Sequence, residues 1–205
     1  MKKIISLFLV ICFSLIGFSG CFNKKINNEP VQIENSSKIL LAYFSRADEN
    51  YSVGYVEKGN TEWIADFISE KVNVDLTFKI ERVTPYPSVY SECTDEAKAE
   101  KNANARPNIN GNIENFDDYD IIFLGYPIWW SDLPMCVYTF IESYNWNGKM
   151  VIPFSTHEGS DWSGTLSTLE NKLDGATIYF GYNCRGAQAK NNKSAVHTWL
   201  EGLGF

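Results

Sequence analysis

The sequence has few of the residues from which metal sites and hydrolytic sites are built. It contains only two histidines, and Cys93, Cys136 and Cys184 form no CxxC pair. No histidine lies near enough to them in sequence to suggest a shared metal ion, and no Ser-His-Asp or Cys-His signature surrounds His157. We therefore expect no metal site. The three cysteines are expected to be buried or free thiols, although an oxidising exterior would also permit one disulfide.

Positive charge is also scarce. The chain has 18 Lys and Arg against 25 Asp and Glu, for a formal net charge of -7. Because a surface of this sign repels a phosphate backbone, the composition argues against general nucleic-acid binding. It favours a basic or neutral docking partner instead.

The N-terminal apolar run is short for a membrane span. It extends from Ile4 to Phe18, follows Lys2-Lys3 and precedes Ser19-Gly20-Cys21. This order predicts a signal peptide over residues 1–20. The ending resembles the bacterial lipoprotein signal, which implies lipidation at Cys21 and an exported protein anchored to the cell membrane. An ordinary secretory signal or an uncleaved anchor are the alternatives. Residues 21–37 are polar and are predicted to form a flexible tether.

Residues 38–205 alternate between strand patterns and helix patterns. Continuous apolar runs predict buried strands. In Val74–Ile80 apolar and polar residues alternate, which leaves one face of the strand exposed to solvent and predicts a strand at a sheet edge. The pattern predicts one α/β domain with a doubly wound, five-stranded parallel sheet in the order 2-1-3-4-5 and helices on both faces. The predicted strands are residues 39–44, 74–80, 121–124, 150–154 and 176–180, and the predicted helices are residues 61–72, 86–101, 134–144, 166–173 and 196–203.

Two adjacent tryptophans follow the central predicted strand. In IIFLGYPIWW, residues 121–130, an apolar run stops at Gly125 and Trp129-Trp130 follow Pro127. Ligands of open α/β sheets bind beyond the carboxyl ends of the strands. The two indoles therefore predict a wall for a flat, conjugated ligand, of which at most one can stack on a given ring face. The alternatives are core packing and an interface patch.

Two further loops are expected at the same end of the sheet. Ser45-Arg46 follows the first strand, and Asn60-Thr61 opens the first helix, where unpaired N–H groups favour an anionic phosphate. The simpler interpretation is that Asn60 or Thr61 is only a helix cap. The loop after the fourth strand contains His157, which could act in acid-base chemistry or only orient a ligand.

Several of these segments together resemble the flavodoxin family, in particular a bacterial branch with a long phosphate loop. The resemblance covers Lys38 to Phe205 and implies a flavodoxin-like fold. The segments are YFSR at residues 43–46, GNT at 59–61, ARP at 105–107, YDIIFLGYPIWW at 119–130 and PFSTHEGS at 153–160.

The resemblance implies a noncovalent FMN site. The phosphate would be held by Ser45, Arg46, Asn60 and Thr61. The isoalloxazine would be bordered on one side by Pro127, Ile128, Trp129 and Trp130, and on the other by Thr156, His157, Glu158, Gly159 and Ser160.

The phosphate loop departs from the short-chain members of the family. Residues 47–58 separate Arg46 from Gly59, and the contribution of Asn50, Tyr51 and Tyr55 is left open. Asp48 is expected to face solvent, because an inward carboxylate would oppose phosphate binding.

The resemblance implies a protein that transfers electrons through FMN to or from a redox protein partner or a small electron acceptor. One alternative is an FMN-dependent reductase that takes hydride from NAD(P)H and reduces a quinone or another small molecule. A second alternative is a non-redox binding module that has kept the fold and lost the flavin.

Overall fold

The computed structural model describes residues 26–34 and 36–205, and their strands and helices alternate along the chain. The elements are β1 (Ile39–Tyr43), β2 (Asp48–Asn50), β3 (Gly54–Val56), α1 (Asn60–Lys71), β4 (Leu76–Lys79), α2 (Tyr90–Asn102), β5 (Ile121–Pro127), α3 (Met135–Glu142), β6 (Met150–His157), α4 (Thr165–Lys172), β7 (Thr177–Ile178), β8 (Tyr182–Arg185), α5 (Gly186–Ala189) and α6 (Lys193–Leu203).

The main sheet is parallel and has the order β4-β1-β5-β6-β7, with β8 also paired to β6. When these five strands are numbered by their order along the chain, the sheet has the predicted order 2-1-3-4-5. The predicted edge strand is confirmed as β4, which pairs with β1 and lies at the end of the sheet. The carboxyl ends of β5 and β6 lie side by side, since Pro127 is the register partner of Thr156.

Helices cover both faces of the sheet, as predicted. The alternation of side chains along a strand divides β5 between two apolar clusters. Ile122 and Leu124 join one cluster with residues of α3 and α4, while Ile121 and Phe123 join the other with residues of α1 and α6. All four are fully buried, which explains why their sequence is continuously apolar.

The fourth strand is longer than predicted, and the predicted fifth strand is divided into β7 and β8. β6 continues to His157 because its last four residues pair with β8, and this places Thr156 and His157 on the strand rather than in the following loop. The fifth strand is divided because its register with β6 shifts by one residue, from Ile178 opposite Val151 to Tyr182 opposite Phe154.

Two small elements were not predicted. Residues 47–58 contain an antiparallel hairpin formed by β2 and β3, with Asp48 opposite Val56. The short helix α5 follows β8 directly. The predicted helices are all present, although α2 begins at Tyr90 rather than near residue 86.

Part of the segment predicted as a tether lies on the domain. Asn27 forms a parallel bridge with Tyr179, and Val31 is buried, with its N–H donating to the carbonyl of Leu203. Residues 1–25 lie outside the described residues, and these include the predicted signal peptide and Cys21. Within residues 26–34 and 36–205, no helix has the length and apolar character needed to span a bilayer. In the same residues Cys93, Cys136 and Cys184 are buried, unbonded thiols.

Candidate functional site

A cleft with a volume of about 330 Å³ opens at the carboxyl ends of β5 and β6. It contains most of the residues expected around the flavin. They are Arg46, Asn60, Pro127, Ile128, Trp129, Trp130, Thr156, His157, Glu158 and Ser160. Ser45, Thr61 and Gly159 were also expected at the site, and each adjoins a lining residue without lining the cleft itself.

The amino end of α1 is held in place by hydroxyl groups. The N–H of Glu62 donates to Oγ of Ser45 over 3.1 Å, so Ser45 satisfies one of the helix's first amides. The hydroxyls of Thr61 and Thr156 are hydrogen-bonded at 2.8 Å, and both residues are buried. These two bonds fix α1 against the segment that follows β1 and against β6, with Asn60 at the cleft. The predicted phosphate contacts of Ser45 and Thr61 stay predictions.

Arg46 lines the cleft but uses its guanidinium within the protein. It donates to the carbonyls of Glu49 at 2.5 Å, Pro87 at 2.5 Å and Ser88 at 2.8 Å, while its Nε is buried without a partner. These bonds join the β2–β3 hairpin to the segment that leads into α2. Arg46 therefore keeps a positive charge at the cleft and also positions one of its walls.

Trp129 to Asp132 form a tight two-residue turn at the end of β5. The N–H and carbonyl of Trp129 exchange hydrogen bonds with those of Asp132, at 2.9 Å and 3.0 Å. Trp130 and Ser131 between them have φ values of 50° and 61°, the left-handed conformation that a type I′ turn requires. Such turns favour Asn and Gly, so a Trp-Ser pair is strained there and must be held by its surroundings.

The two tryptophans have different environments. The ring of Trp129 packs edge-on against Phe44 and Tyr86, with centroid distances of 5.3 and 4.9 Å. Trp130 is 47% exposed, and its Nε1 donates to the carbonyl of Thr94 on α2 over 3.1 Å. Trp129 therefore belongs in part to the core, whereas Trp130 presents its indole at the mouth of the cleft.

His157 organises the loop that follows β6. Its Nδ1 accepts hydrogen bonds from the N–H groups of Gly159 at 2.9 Å and Asp161 at 3.3 Å. An acceptor at Nδ1 requires the neutral ring with its proton on Nε2. Burial and the nearby Arg185 lower the pKa of His157 and outweigh the carboxylates of Asp161 and Glu158. The geometry favours the orienting role over acid-base chemistry.

Glu158 connects this loop to α5. Its Oε1 accepts the N–H of Ala187 over 3.0 Å, at the amino end of the short helix. Gly186 lies between Glu158 and Asn60, where an added Cβ would be 2.7 Å from Oε1 of Glu158 and 2.4 Å from Nδ2 of Asn60. A side chain at Gly186 would therefore displace two residues of the cleft.

One wall of the cleft was not predicted. It is supplied by the β2–β3 hairpin and by one face of α2. Asp48 lies on this hairpin, is half-buried and does not line the cleft. The lining residues of α2 are three or four positions apart, which indicates that they share one helix face. This spacing does not show that the face lies at the site. The unpredicted lining residues are Asn50, Tyr51, Tyr90, Cys93, Thr94, Ala97, Ser131 and Gly186.

The cleft joins two chemically different regions. One is the amino end of α1, where helix N–H groups and the positive end of the dipole suit an anionic group. The other is an aromatic wall that includes Trp129, Trp130 and Tyr90 and suits a flat ring. A ligand with a conjugated ring and a phosphate tail fits this arrangement, and the unsubstituted Gly186 keeps the polar side of the cleft open.

Comparisons with known proteins agree with this geometry. A sequence model of the family described as Flavodoxin matches residues 38–203. A proposed flavoprotein from Bacteroides eggerthii is 29% identical, with a TM-score of 0.66 over 82% of this chain and 99% of that chain. A second proposed flavoprotein, from Bacteroides uniformis, is 26% identical, with a TM-score of 0.65 over 81% and 99% of the two chains.

A more distant structure shows the same fold. It is a flavoprotein from Lactobacillus acidophilus, solved in complex with FMN, and it is 18% identical, with a TM-score of 0.53 over 76% of this chain and 97% of that chain. A search of curated proteins finds no match.

Proposed function

This chain belongs to the flavodoxin family, and we propose that it transfers electrons through FMN on the outer side of the cytoplasmic membrane. FMN is the cofactor of the family and supplies reversible one- and two-electron chemistry when it is bound. The observation that carries the proposal is a cleft in which the amino end of α1 meets an aromatic wall at the ends of β5 and β6.

The residues of the cleft have distinct tasks toward the cofactor. Asn60 and the first N–H groups of α1 bind the phosphate, and Ser45 and the Thr61–Thr156 pair keep that helix end in position. Trp130 and Trp129 border the ring on one side, and the loop from Thr156 to Ser160 borders it on the other. His157 keeps this loop in one conformation through the two N–H groups that it accepts.

Export and lipid anchoring at Cys21 are supported by the sequence Phe18-Ser19-Gly20-Cys21 after the apolar run. The lipid would hold the domain at the membrane, where its acidic surface meets the redox partner. We expect full-length protein expressed in bacteria to incorporate labelled fatty acid, and Cys21→Ala to abolish the label. Label retained by Cys21→Ala would contradict the anchor.

An anaerobic reductive titration of the detergent-solubilised full chain, reconstituted with FMN and followed by visible absorption, tests the electron-transfer role. A semiquinone that accumulates before full reduction supports one-electron transfer to a protein partner. Failure of the protein to bind FMN would contradict the proposal. Tyr55→Ala is the control variant, because Tyr55 lies outside the cleft lining and its replacement should leave the titration unchanged.

A second function is favoured by one observation, the exposure of Trp130 and Tyr90 at the mouth of the cleft, which leaves the site open to a small molecule. It is an FMN-dependent reductase that takes hydride from NAD(P)H and reduces a quinone or another small acceptor. Rapid steady-state NAD(P)H oxidation in the presence of a quinone would favour this function over the carrier.

A further inference from the structure

The segment before β1 docks on the edge of the main sheet. β7 lies at the end of that sheet, and Asn27 forms a parallel bridge with Tyr179, the residue that follows β7. The N–H of Asn27 donates to the carbonyl of Ile178, and the N–H of Phe180 donates to the carbonyl of Asn27, both over 2.8 Å. The segment thus adds to an open sheet edge and satisfies backbone groups that would otherwise face solvent.

The same segment is held at a second point. Oδ1 of Asn27 accepts the N–H of Glu29 over 2.9 Å, which forms a turn. Val31 then packs into the apolar cluster of α1 and α6, and its N–H donates to the carbonyl of Leu203 over 2.9 Å. Residues 27–31, here called the docked segment, are therefore attached to the domain at both ends.

Docking shortens the connection between the domain and the proposed lipid. Cys21 and Lys38 are 17 positions apart, so a linker that was free up to β1 could extend to about 60 Å. Cys21 and Asn27 are only six positions apart, and extended chain of that length spans at most about 20 Å. Because the proposed lipid lies in the bilayer, the β7 edge must lie close to the membrane surface.

An exposed aromatic side chain lies at the docking point. Phe180 is 53% exposed, although its backbone is fixed on both sides. Its N–H donates to Asn27, and its carbonyl accepts a hydrogen bond from Nε1 of Trp199 over 3.3 Å. A single exposed apolar residue is common on protein surfaces, but this one is rigidly placed within the short reach of the lipid. A phenyl ring there suits the boundary between lipid head groups and acyl chains.

The residues that join Cys21 to the docked segment add positive charge at this edge. Lys24 and Lys25 lie there, and with Glu29 they give residues 22–31 a net charge of +1, in a chain whose formal net charge is -7. Lysines beside a membrane anchor are attracted to anionic head groups, whereas an acidic domain is repelled by them. The charge distribution therefore favours contact with an anionic bilayer through this edge.

We propose that the β7 edge, with Phe180 and the docked segment, is the surface through which the domain contacts an anionic lipid bilayer. The inference rests on the lipid anchor of the proposed function, because the anchor brings this edge to the membrane. Asn27, Val31 and Phe180 do not line the cleft, so the contact requires no residue of the flavin site. In this arrangement the docked segment determines which side of the domain faces the membrane.

A fluorescent label at position 180 tests the contact. The full chain is expressed in bacteria so that it is processed and lipidated, and it is reconstituted into vesicles of phosphatidylcholine and phosphatidylglycerol. An environment-sensitive label is attached to Phe180→Cys, and the wild type, in which Cys93, Cys136 and Cys184 are buried, is the labelling blank. We expect brominated lipids to quench this label. Val83→Cys is the control, because Val83 is exposed and follows β4 at the opposite end of the sheet.

A matched pair of substitutions tests the docked segment. Val31→Asp places a carboxylate in the apolar cluster and should release the segment, so that the quenching at position 180 is lost. Ile33→Asp makes the same change of charge at a side chain that is 40% exposed, and it should keep the quenching. Asn27→Pro is a second releasing variant, because it removes the N–H donated to Ile178 without changing the cluster. Circular dichroism verifies that each domain is folded.

The lipid composition tests the charge. Quenching at position 180 should fall when phosphatidylcholine replaces phosphatidylglycerol, because Lys24 and Lys25 lose their anionic partners. Lys24→Gln combined with Lys25→Gln should remove this dependence on composition. A wild type that is as insensitive to composition as the double variant would overturn the assignment of an anionic surface.

The outcomes separate this inference from the proposed function. A chain that incorporates no fatty acid at Cys21 would refute the anchor itself. A lipidated chain with equal quenching at positions 180 and 83 would refute only the membrane-facing edge. Unchanged quenching in folded Val31→Asp and Asn27→Pro would also refute it, since the docked segment would then not determine the orientation of the domain.

Discussion

Lys101 Nζ donates a hydrogen bond to the backbone carbonyl of Trp130 over 2.6 Å and lies 3.3 Å from the carboxylate of Asp132. One lysine of α2 therefore contacts the turn on both sides of Ser131, in the segment where Trp130 and Ser131 adopt positive φ. Left-handed backbone costs a non-glycine residue about 1–2 kcal/mol, and the contacts with α2 offset part of that cost. The conformation of the aromatic wall thus depends on a helix distant in sequence.

Ser131→Gly is expected to stabilise the protein. Glycine removes the strain at a φ of 61° but adds freedom to the unfolded chain, so the net gain should be about 0.5–1 kcal/mol. Urea unfolding of the flavin-free protein measures it. Ser160→Gly is the matched control, because Ser160 is an exposed loop serine outside the positive-φ positions. If both variants change stability equally, the turn is not strained.

The two adjacent tryptophans should respond differently to truncation. Trp129→Ala removes a ring that packs on Phe44 and Tyr86, and we expect a loss of about 3 kcal/mol in the free energy of unfolding. Trp130→Ala removes a ring that is 47% exposed, and its effect on stability should stay below about 1 kcal/mol.

The effect of Trp130→Ala should appear in cofactor affinity. By analogy with base stacking on aromatic side chains, we expect a loss of about 1–3 kcal/mol in FMN binding, measured by flavin fluorescence. Unchanged FMN affinity in this variant would remove Trp130 from the ring site. Equal destabilisation of the protein by both alanine variants would contradict the assignment of Trp129 to the core.

Gly186→Ala should weaken FMN binding without unfolding the domain. The added methyl group would lie 2.4 Å from Nδ2 of Asn60 and 2.7 Å from Oε1 of Glu158, so both side chains must move. We expect at least about a 10-fold rise in the Kd for FMN, equivalent to about 1.4 kcal/mol. Flavin fluorescence and circular dichroism together separate a binding defect from a folding defect.

Gly202→Ala provides the control for that change. Gly202 lies in α6, and a Cβ there would meet nothing within 4 Å. Alanine should raise the helix's stability by about 0.5–1 kcal/mol and leave FMN affinity unchanged. A Gly186→Ala variant that binds FMN as tightly as the wild type would show that Asn60 and Glu158 can move freely.

The sequence was sufficient for the main sheet because burial on both faces leaves a continuous apolar signal, as in Ile121 to Leu124. It was insufficient where pairing depends on distant segments. The fifth strand is divided by a one-residue shift in its register with β6, between Ile178 opposite Val151 and Tyr182 opposite Phe154. The strands β2 and β3 have three residues each and no apolar alternation. Neither feature has a local pattern from which it could be predicted.

The candidate site was also predicted only in part. Residues near the strand ends, such as Trp129 and Thr156, line the cleft because parallel strands end at one edge of the sheet, and their contacts with a flavin stay predictions. The wall containing Tyr51 and Tyr90 was missed because its position depends on how Arg46 joins the hairpin to α2. Tertiary hydrogen bonds of this kind leave no periodic trace in the sequence.

The loop held by His157 should make stability depend on pH. The pKa of His157 is lowered in the folded protein, mainly by burial, so the unfolded chain binds its proton more readily. Its contribution to stability is therefore complete above the unfolded pKa of about 6.5 and is lost as pH falls toward the lower folded value. Protonation would also remove the acceptor used by the N–H groups of Gly159 and Asp161.

His157→Asn should flatten this dependence, because the Asn side-chain oxygen can still accept the N–H of Gly159 but does not titrate. Urea unfolding of the flavin-free protein at about pH 7 and about pH 5.5 measures the change, in a range where histidine is the main titrating side chain. The control is His197→Asn, since His197 lies on α6 and contacts the carbonyl of Phe67. If the wild type loses no stability on acidification, or if His197→Asn alone removes the loss, His157 does not set the pH response of this loop.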